Sequence, residues 1–426
     1  MSTLNNQTRY SLQQDAILAP HRASPLMEIV LVATPFLAIL FQIVIGSLTP
    51  ILVIATCGAF ILLRWERLYS IFANCWPLFL LPAYALLSVF WSDDPAATLR
   101  YGTLYLATVL AAVFLGAGIE KLNFLKGIFI AFAIYMVFAL LFGRYGYVFG
   151  RGAAFVGLLG SKNAAGDVGA LTFLTATIML IWSIANRQMV WAGLAVVVMA
   201  MGAYSLVASL ATGALIATIV AFPCMLAWVA SRQFDLRIRT SIFILAVVTL
   251  VALLATLDFW LEPLFDLVLE NSGKDKGLTG RDVLWAKADE LIAARPWLGQ
   301  GYRSFWVHNN LDAEFLWRYM EIASRKGFNF HHTPREILVA LGYTGFALFC
   351  VVTFYGVFKL LTKTMQNPSY TGIYCCTIMI FESPRIFFEV LGFSDMHFAT
   401  VILFMVFAFG MRPETMAAFH NTGARR

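Results

Sequence analysis

The chain is 426 residues long, 60% hydrophobic and 15% aromatic, with only 13% charged residues and a formal net charge of +6. A mean hydropathy of +0.77 excludes a soluble domain and describes an integral membrane protein. The basic balance requires no nucleic acid, because basic loops against anionic lipid account for it and no nucleic-acid motif accompanies it.

Runs of about 17–25 apolar residues can cross about 30 Å of hydrocarbon as helix. They fall near 27–46, 49–63, 70–91, 101–119, 124–143, 166–185, 189–208, 212–230, 240–257, 335–358, 369–384 and 396–411. An all-α polytopic membrane protein with about twelve transmembrane helices is therefore expected, its first two spans close enough for a tight hairpin. Residues 1–26 carry Arg9 and Arg22 but no apolar core or small-residue cleavage site, and read as a cytoplasmic tail rather than a signal peptide. With that end inside, every alternate connection is basic: Arg64 and Arg67, Lys121 and Lys126, Arg187, Arg232 with Arg237 and Arg239, Lys359 and Lys363, then Arg412, Arg425 and Arg426. The positive-inside rule then places both termini in the cytoplasm. The expected division is a tail at 1–26, a membrane domain at 27–411 with a large outer loop at 258–333, and a second tail at 412–426.

All six cysteines, Cys57, Cys75, Cys224, Cys350, Cys375 and Cys376, fall in apolar spans, which argues against a disulfide framework or a structural zinc site. On the outer side, the segment 144–170 places Arg144, Arg151 and Lys162 where lysine and arginine are normally scarce, and Ser161 or Asn163 can cap the sixth span. Taken singly, each of these cations can be a snorkelling interfacial residue.

The loop 258–333 holds two amphipathic helices. In the first, Thr279 and Asp282 form a plausible cap, Leu284, Trp285, Ala288, Leu291 and Ile292 form an apolar stripe, and Pro296 ends it. The second, about 312–326, places Phe315, Leu316, Tyr319, Ile322 and Ala323 on one face, with Arg325 and Lys326 in its last turn and Gly327 as a stop. Arg281 stands in the first turn of the first helix, where the dipole disfavours a cation by about 0.3–1 kcal/mol. Either an anion such as phosphate docks there, or Arg281 pairs with a nearby acid such as Asp282 or Glu270. Two of the chain's six histidines, His331 and His332, stand before the tenth span, which Thr333 as N-cap, Pro334 and Glu336 open as a capping box. Farther on, Glu382, Arg385 and Glu389 lie near the outer end of the eleventh span and read as a local ion-pair set beside Pro384.

"GSKNAAG" at 160–166, "TGRDVLWAKADELIAARPWLGQGYRSF" at 279–305, and His331 and His332 followed nine residues later by "GYTG" at 342–345 resemble the family of O-antigen ligases and Wzy-type polysaccharide polymerases. "FWSDDPAATLRYG" at 90–102 is similar to the outer turn before that family's fourth helix, and the Lys162–Asn163 pair is most similar to exopolysaccharide polymerases of the ExoQ kind. The resemblance implies a GT-C-like membrane glycosyltransferase of the bacterial inner membrane, active at the periplasmic face without metal, cofactor or nucleotide sugar. Its donor would be a glycan on undecaprenyl pyrophosphate and its acceptor a glycan or a lipid core, with membrane lipid, a flippase and a chain-length regulator as partners and no nucleic acid.

Carried over by position, His331 matches the essential histidine and Arg281 the arginine of the "GR" turn. Charge developing on a departing pyrophosphate is best met by fixed donors, a task for Arg281, and an imidazole is suited to take the acceptor proton. Where the family has a basic residue after a serine, this chain reads "SLATG" at 209–213 with Leu210 in that place; Lys162, Arg151 or Arg303 could supply the charge, and Asn163 joins them in the expected substrate site. His332 stands where relatives often have Asn, and reads either as a substrate-positioning residue or as an exposed turn residue. Two alternatives stay open: a ligase that moves finished glycan onto lipid A core, and a transporter or flippase, for which intramembrane charges and paired broken helices would be expected.

Overall fold

The computed structural model describes residues 24–148, 152–256, 280–325 and 328–413. Ser24 caps α1 (Pro25–Leu40) by accepting from Met27 N at 3.3 Å. A short turn leads to α2 (Leu48–Cys75), which is broken at Arg64 and continues through 3-10 turns and α3 (Leu80–Leu87) to Phe90. Then come α4 (Pro95–Gly118), α5 (Lys121–Phe142), a hairpin of β1 (Arg144–Val148) and β2 (Gly152–Gly157), α6 (Lys162–Ala185), α7 (Met189–Ala208), α8 (Thr212–Ser231) and α9 (Leu236–Ala255). Beyond residues 257–279, which lie outside the described residues, follow α10 (Arg281–Ala294), α11 (Leu311–Tyr319), α12 (Thr333–Gln366), α13 (Tyr370–Glu382) and α14 (Phe398–Met411).

A helix stands at each of the expected spans. By length and apolarity alone, eight described helical runs can cross a membrane; one of them, Leu48–Phe90, covers two expected spans. Pro25–Leu40, Tyr370–Glu382 and Phe398–Met411 are shorter. The last is buried along all 14 of its residues, as a helix apolar all round should be when it forms the post of a bundle. Close approach elsewhere uses small residues: a Cβ on Gly169 of α6 would lie 2.6 Å from Leu206 N, and one on Gly202 of α7 would lie 2.7 Å from Phe173 N.

The antiparallel pairing of β1 with β2 was not anticipated; Tyr145 and Tyr147, two residues apart, share one face of β1, and Tyr145 OH meets Tyr204 OH at 2.5 Å. The second loop helix also departs from expectation. It ends at Tyr319, and Glu321 and Arg325 have φ of 56° and 47°, which a continued helix cannot accommodate. It buries Ala313, Leu316 and Trp317, while Phe315 and Tyr319 face out. Lys326 and Gly327 lie outside the described residues.

One device joins the loop to the bundle. Gly342, at φ 64°, interrupts α12, and the N–H groups of Tyr343 and Thr344 turn from their i−4 partners to Pro296 O and Trp297 O, at 2.7 and 3.3 Å. The carbonyls thus released, Val339 O and Ala340 O, accept from Gln300 N and Gly301 N at 2.9 and 2.8 Å. A broken helix at membrane depth is stable only if such groups are re-paired, and here the turn after Pro296 pairs all four. A Cβ at Gly342 would lie 2.3 Å from Trp297 C, so the "GQGY" and "GYTG" glycines are two halves of one joint.

Candidate active site

Four helix ends converge above this joint. Arg281 opens α10 after Gly280, whose φ of 78° starts the helix; Asn163 lies in the first turn of α6; His331 and His332 precede α12; and Glu389 follows the 3-10 turn Ser383–Phe387. Thr279, half of the cap expected for α10, lies outside the described residues, and Gly280 holds the cap position.

Glu389 is the hub. Its Oε1 accepts from Asn163 Nδ2 at 3.0 Å and lies 3.9 Å from Arg281 Nη2, while Oε2 lies 3.4 Å from His331 Nδ1. Burial alone would push this carboxyl up; the hydrogen bond and charge of His331, with the charges of Arg385 and Arg281, hold it below its ordinary value, so it is ionised at neutral pH. Burial likewise lowers Arg281, and Glu389 opposes that shift; a guanidinium stays charged regardless. His331 has φ 51°, and Asn329 Oδ1 holds its backbone N–H at 2.7 Å. A non-glycine residue in that region costs about 1–3 kcal/mol, a strain that concentrates at functional sites.

The adjacent histidine is differently employed. His332, not Thr333, is the N-cap of α12: its Nδ1 accepts from Arg335 N at 3.3 Å, and its ring meets Trp285 and Phe387 at centroid distances of 5.4 and 5.8 Å. Burial, then the Arg335 charge, push it down to about 4, keeping it neutral and able to accept. The expected capping box is shifted, because Thr333 is committed elsewhere: its Oγ1 donates to Glu389 O at 2.7 Å and accepts from Leu391 N at 2.9 Å. Glu336 does reach back, to Phe330 N at 2.9 Å.

Glu389 was missed as a site residue because its spacing reads as an ion pair with Arg385. Arg385 instead bonds Asp167 of α6 and Glu382 of α13, while its carbonyl accepts the Glu389 N–H at 2.8 Å. Only the position of an acid beside a membrane helix end could have signalled it. Of the other expected site residues, Lys162 directly precedes Asn163, Arg303 pairs with Asp395 at 3.2 Å and makes no bond to Glu389, and Arg151 lies outside the described residues. Leu210 has φ 54° in the α7–α8 turn, which presses on α6 so closely that a Cβ at Gly166 would lie 2.4 Å from Ala211 Cβ.

Residues 197–350, which include Leu210, Arg281, Arg303 and His331, match the O-antigen ligase family. Over 350 residues, 81% of this chain and 79% of the relative, the sequence is 28% identical to the exopolysaccharide production protein ExoQ of Rhizobium meliloti (strain 1021).

Proposed function

We propose that this chain, a multi-pass bacterial membrane protein similar to the O-antigen ligase family and to ExoQ, is an enzyme that polymerises oligosaccharide repeats carried on undecaprenyl pyrophosphate, at the periplasmic face and with both termini cytoplasmic. The single observation that carries this reading is the grouping of His331, Arg281 and Asn163 on the Glu389 carboxylate.

In the reaction, an acceptor hydroxyl attacks the anomeric carbon of the donor, the bond from that carbon to the phosphate oxygen breaks, and the pyrophosphate departs with the electron pair. Glu389 accepts the Nδ1 proton of His331 in a hydrogen bond, which leaves Nε2 as the base for the acceptor hydroxyl. The 3.4 Å contact is long, as such bonds are before substrate closes them. Arg281 and the N–H groups of the first turn of α10 meet the leaving pyrophosphate, with Lys162 and Asn163 at the start of α6 beside them. The polyprenyl chain lies among the membrane helices. The similarity to ExoQ over most of the chain supports a polymerase; the family match at 197–350 supports a ligase acting on lipid A core by the same chemistry.

A strain lacking this protein separates the two readings. Loss of all glycan longer than one repeat is the polymerase result, and build-up of long lipid-linked chains the ligase result. Complementation with His331→Ala should leave the defect in place, with extension slowed about 10²–10⁴-fold. Normal glycan from that variant would overturn the site.

A further inference from the structure

Beside the Glu389 cluster lies a second polar group that the reaction as described does not use. Arg303 is held at φ 59° just after the joint glycines. Its Nε donates to Asp395 Oδ1 at 3.2 Å and its guanidinium stands 6.0 Å from the Tyr302 ring centroid. Both side chains are largely withdrawn from solvent but not sealed, at 20% and 12% exposure. Two residues along, His397 caps α14, its Nδ1 accepting from Ala399 N at 3.3 Å. That bond leaves the proton of the neutral ring on Nε2, for which no acceptor stands among the described residues. Burial and the charge of Arg303 push this imidazole down to about 4, and Glu389 and Arg385 are the other charges within its reach. Glu389 and Asp395 stand on the same short connection, between the 3-10 turn Ser383–Phe387 and α14.

The backbone between them is pinned more tightly than a connection requires. Tyr105 OH donates to Gly392 O at 2.6 Å, Tyr302 OH to Phe393 O at 3.1 Å, and Met396, itself at φ 44°, donates its N–H to Thr108 Oγ1 at 3.0 Å. Arg303 and Met396, the residue after Asp395, both have positive φ, and the bond from Arg303 Nε holds the Asp395 carboxylate.

We propose that Arg303, Asp395 and His397 form a sugar-binding subsite that holds one ring of the glycan by its hydroxyls beside His331. The inference rests on the glycosyltransferase reading. A guanidinium neutralised by a carboxylate has little to offer a phosphate. The pair does present the remaining N–H donors of Arg303 and the second oxygen of Asp395 as acceptor, and two residues along the same connection His397 adds its Nε2–H donor. Neighbouring ring hydroxyls, each both donor and acceptor, match such a mixed set.

The test uses the full chain in lipid nanodiscs and two probes: the free oligosaccharide repeat, released by mild acid from lipid-linked repeat that a deletion strain accumulates, and inorganic pyrophosphate. His397→Asn keeps the helix cap, since Asn is among the best N-cap residues, and removes the outward N–H; Asp395→Asn removes the charged acceptor. Each should weaken oligosaccharide binding about tenfold without weakening pyrophosphate binding, whereas Arg281→Lys should weaken pyrophosphate binding and leave oligosaccharide binding unchanged. The subsite is overturned if the unaltered protein does not bind the oligosaccharide, if His397→Asn binds it undiminished, or if both probes weaken together. Glycan extension by His331→Ala is read separately, so failure of the enzymatic reading shows there and not in these titrations.

Discussion

Both ends of the helix bundle bury arginines against carboxylates, but they do so differently. At the end away from the loop, Arg64 bonds Glu28 with the side chains 4% and 3% exposed, and Asn123 Nδ2 donates to the other Glu28 oxygen at 2.8 Å. Arg67 donates to Gly118 O, Arg412 to Ile119 O at 2.9 Å, and Lys363 to Arg412 O. Arg67 and Arg412 satisfy carbonyls that the end of α4 leaves open, Lys363 one at the end of α14, and together with the Glu28 pair they tie α1, α2, α4, α5, α12 and α14 together. At the loop end Arg385 is closed in the same way against Asp167 and Glu382, with its side chain 4% exposed, but Arg281 and His331 approach Glu389 only to 3.9 and 3.4 Å, with side chains 16% and 24% exposed. The same residue types close the pairs of Arg64 and Arg385 and leave the Glu389 cluster open to a ligand; contact length and exposure distinguish them where composition does not.

The largest effects should fall at the open end. Glu389→Gln keeps the size of the side chain and its bond from Asn163 but loses the acceptor that sets the His331 tautomer, so glycan extension should fall about 10²–10⁴-fold, the range for removing a carboxylate that orients a catalytic imidazole. Membrane-inserted protein should stay at its normal level, measured by detergent-resistant yield. A drop in yield to match the activity would erase the distinction between the two ends.

At the closed end the signs reverse. Arg64→Ala strands Glu28 in the interior, a loss of about 3–5 kcal/mol, seen as lower yield and a lower unfolding temperature, with normal activity per folded molecule. The double variant Glu28→Gln with Arg64→Met should recover most of the yield. If it does not, the pair does more than close the bundle.

Between the two lies the joint. Gly342→Ala imposes a side chain at φ 64° against Trp297, for about 1–3 kcal/mol, and should depress activity beyond its effect on yield, because the start of α12 carries His331. The smallest effect belongs to His332→Asn, which keeps an N-cap and should extend glycan at near the normal rate. Its mark is in acid. Because the folded pKa of His332 is depressed from 6.5 to about 4, the unfolded chain binds a proton in that window that the folded chain does not, and stability is lost as pH falls through it. His332→Asn should flatten that acid limb of the melting curve; an unchanged slope would remove His332 from the account.

The helices were legible because apolar runs are long and the bilayer demands length. Arg281, Asn163 and His331 could be picked out because each breaks a local expectation at a helix start. Glu389 could not, since its role depends on α6, α10 and α12 meeting over it, and no spacing along the chain encodes that meeting. The hairpin at 144–157 and the early end of α11 were hidden for another reason: an apolar pattern counts positions, and the positive φ values at Glu321 and Arg325 leave no trace in it.

The interruption at Gly342 also divides α12 into two stretches. A long membrane helix adjusts its tilt to the thickness of the surrounding hydrocarbon. Both stretches are bonded to the turn at Pro296–Gly301, the lower through the N–H groups of Tyr343 and Thr344 and the upper through Val339 O and Ala340 O, so a tilt of the lower stretch reaches the upper one by way of the loop. His331, at the head of the upper stretch, is thereby coupled to the bilayer's changing thickness through the loop turn as well as through the helix itself.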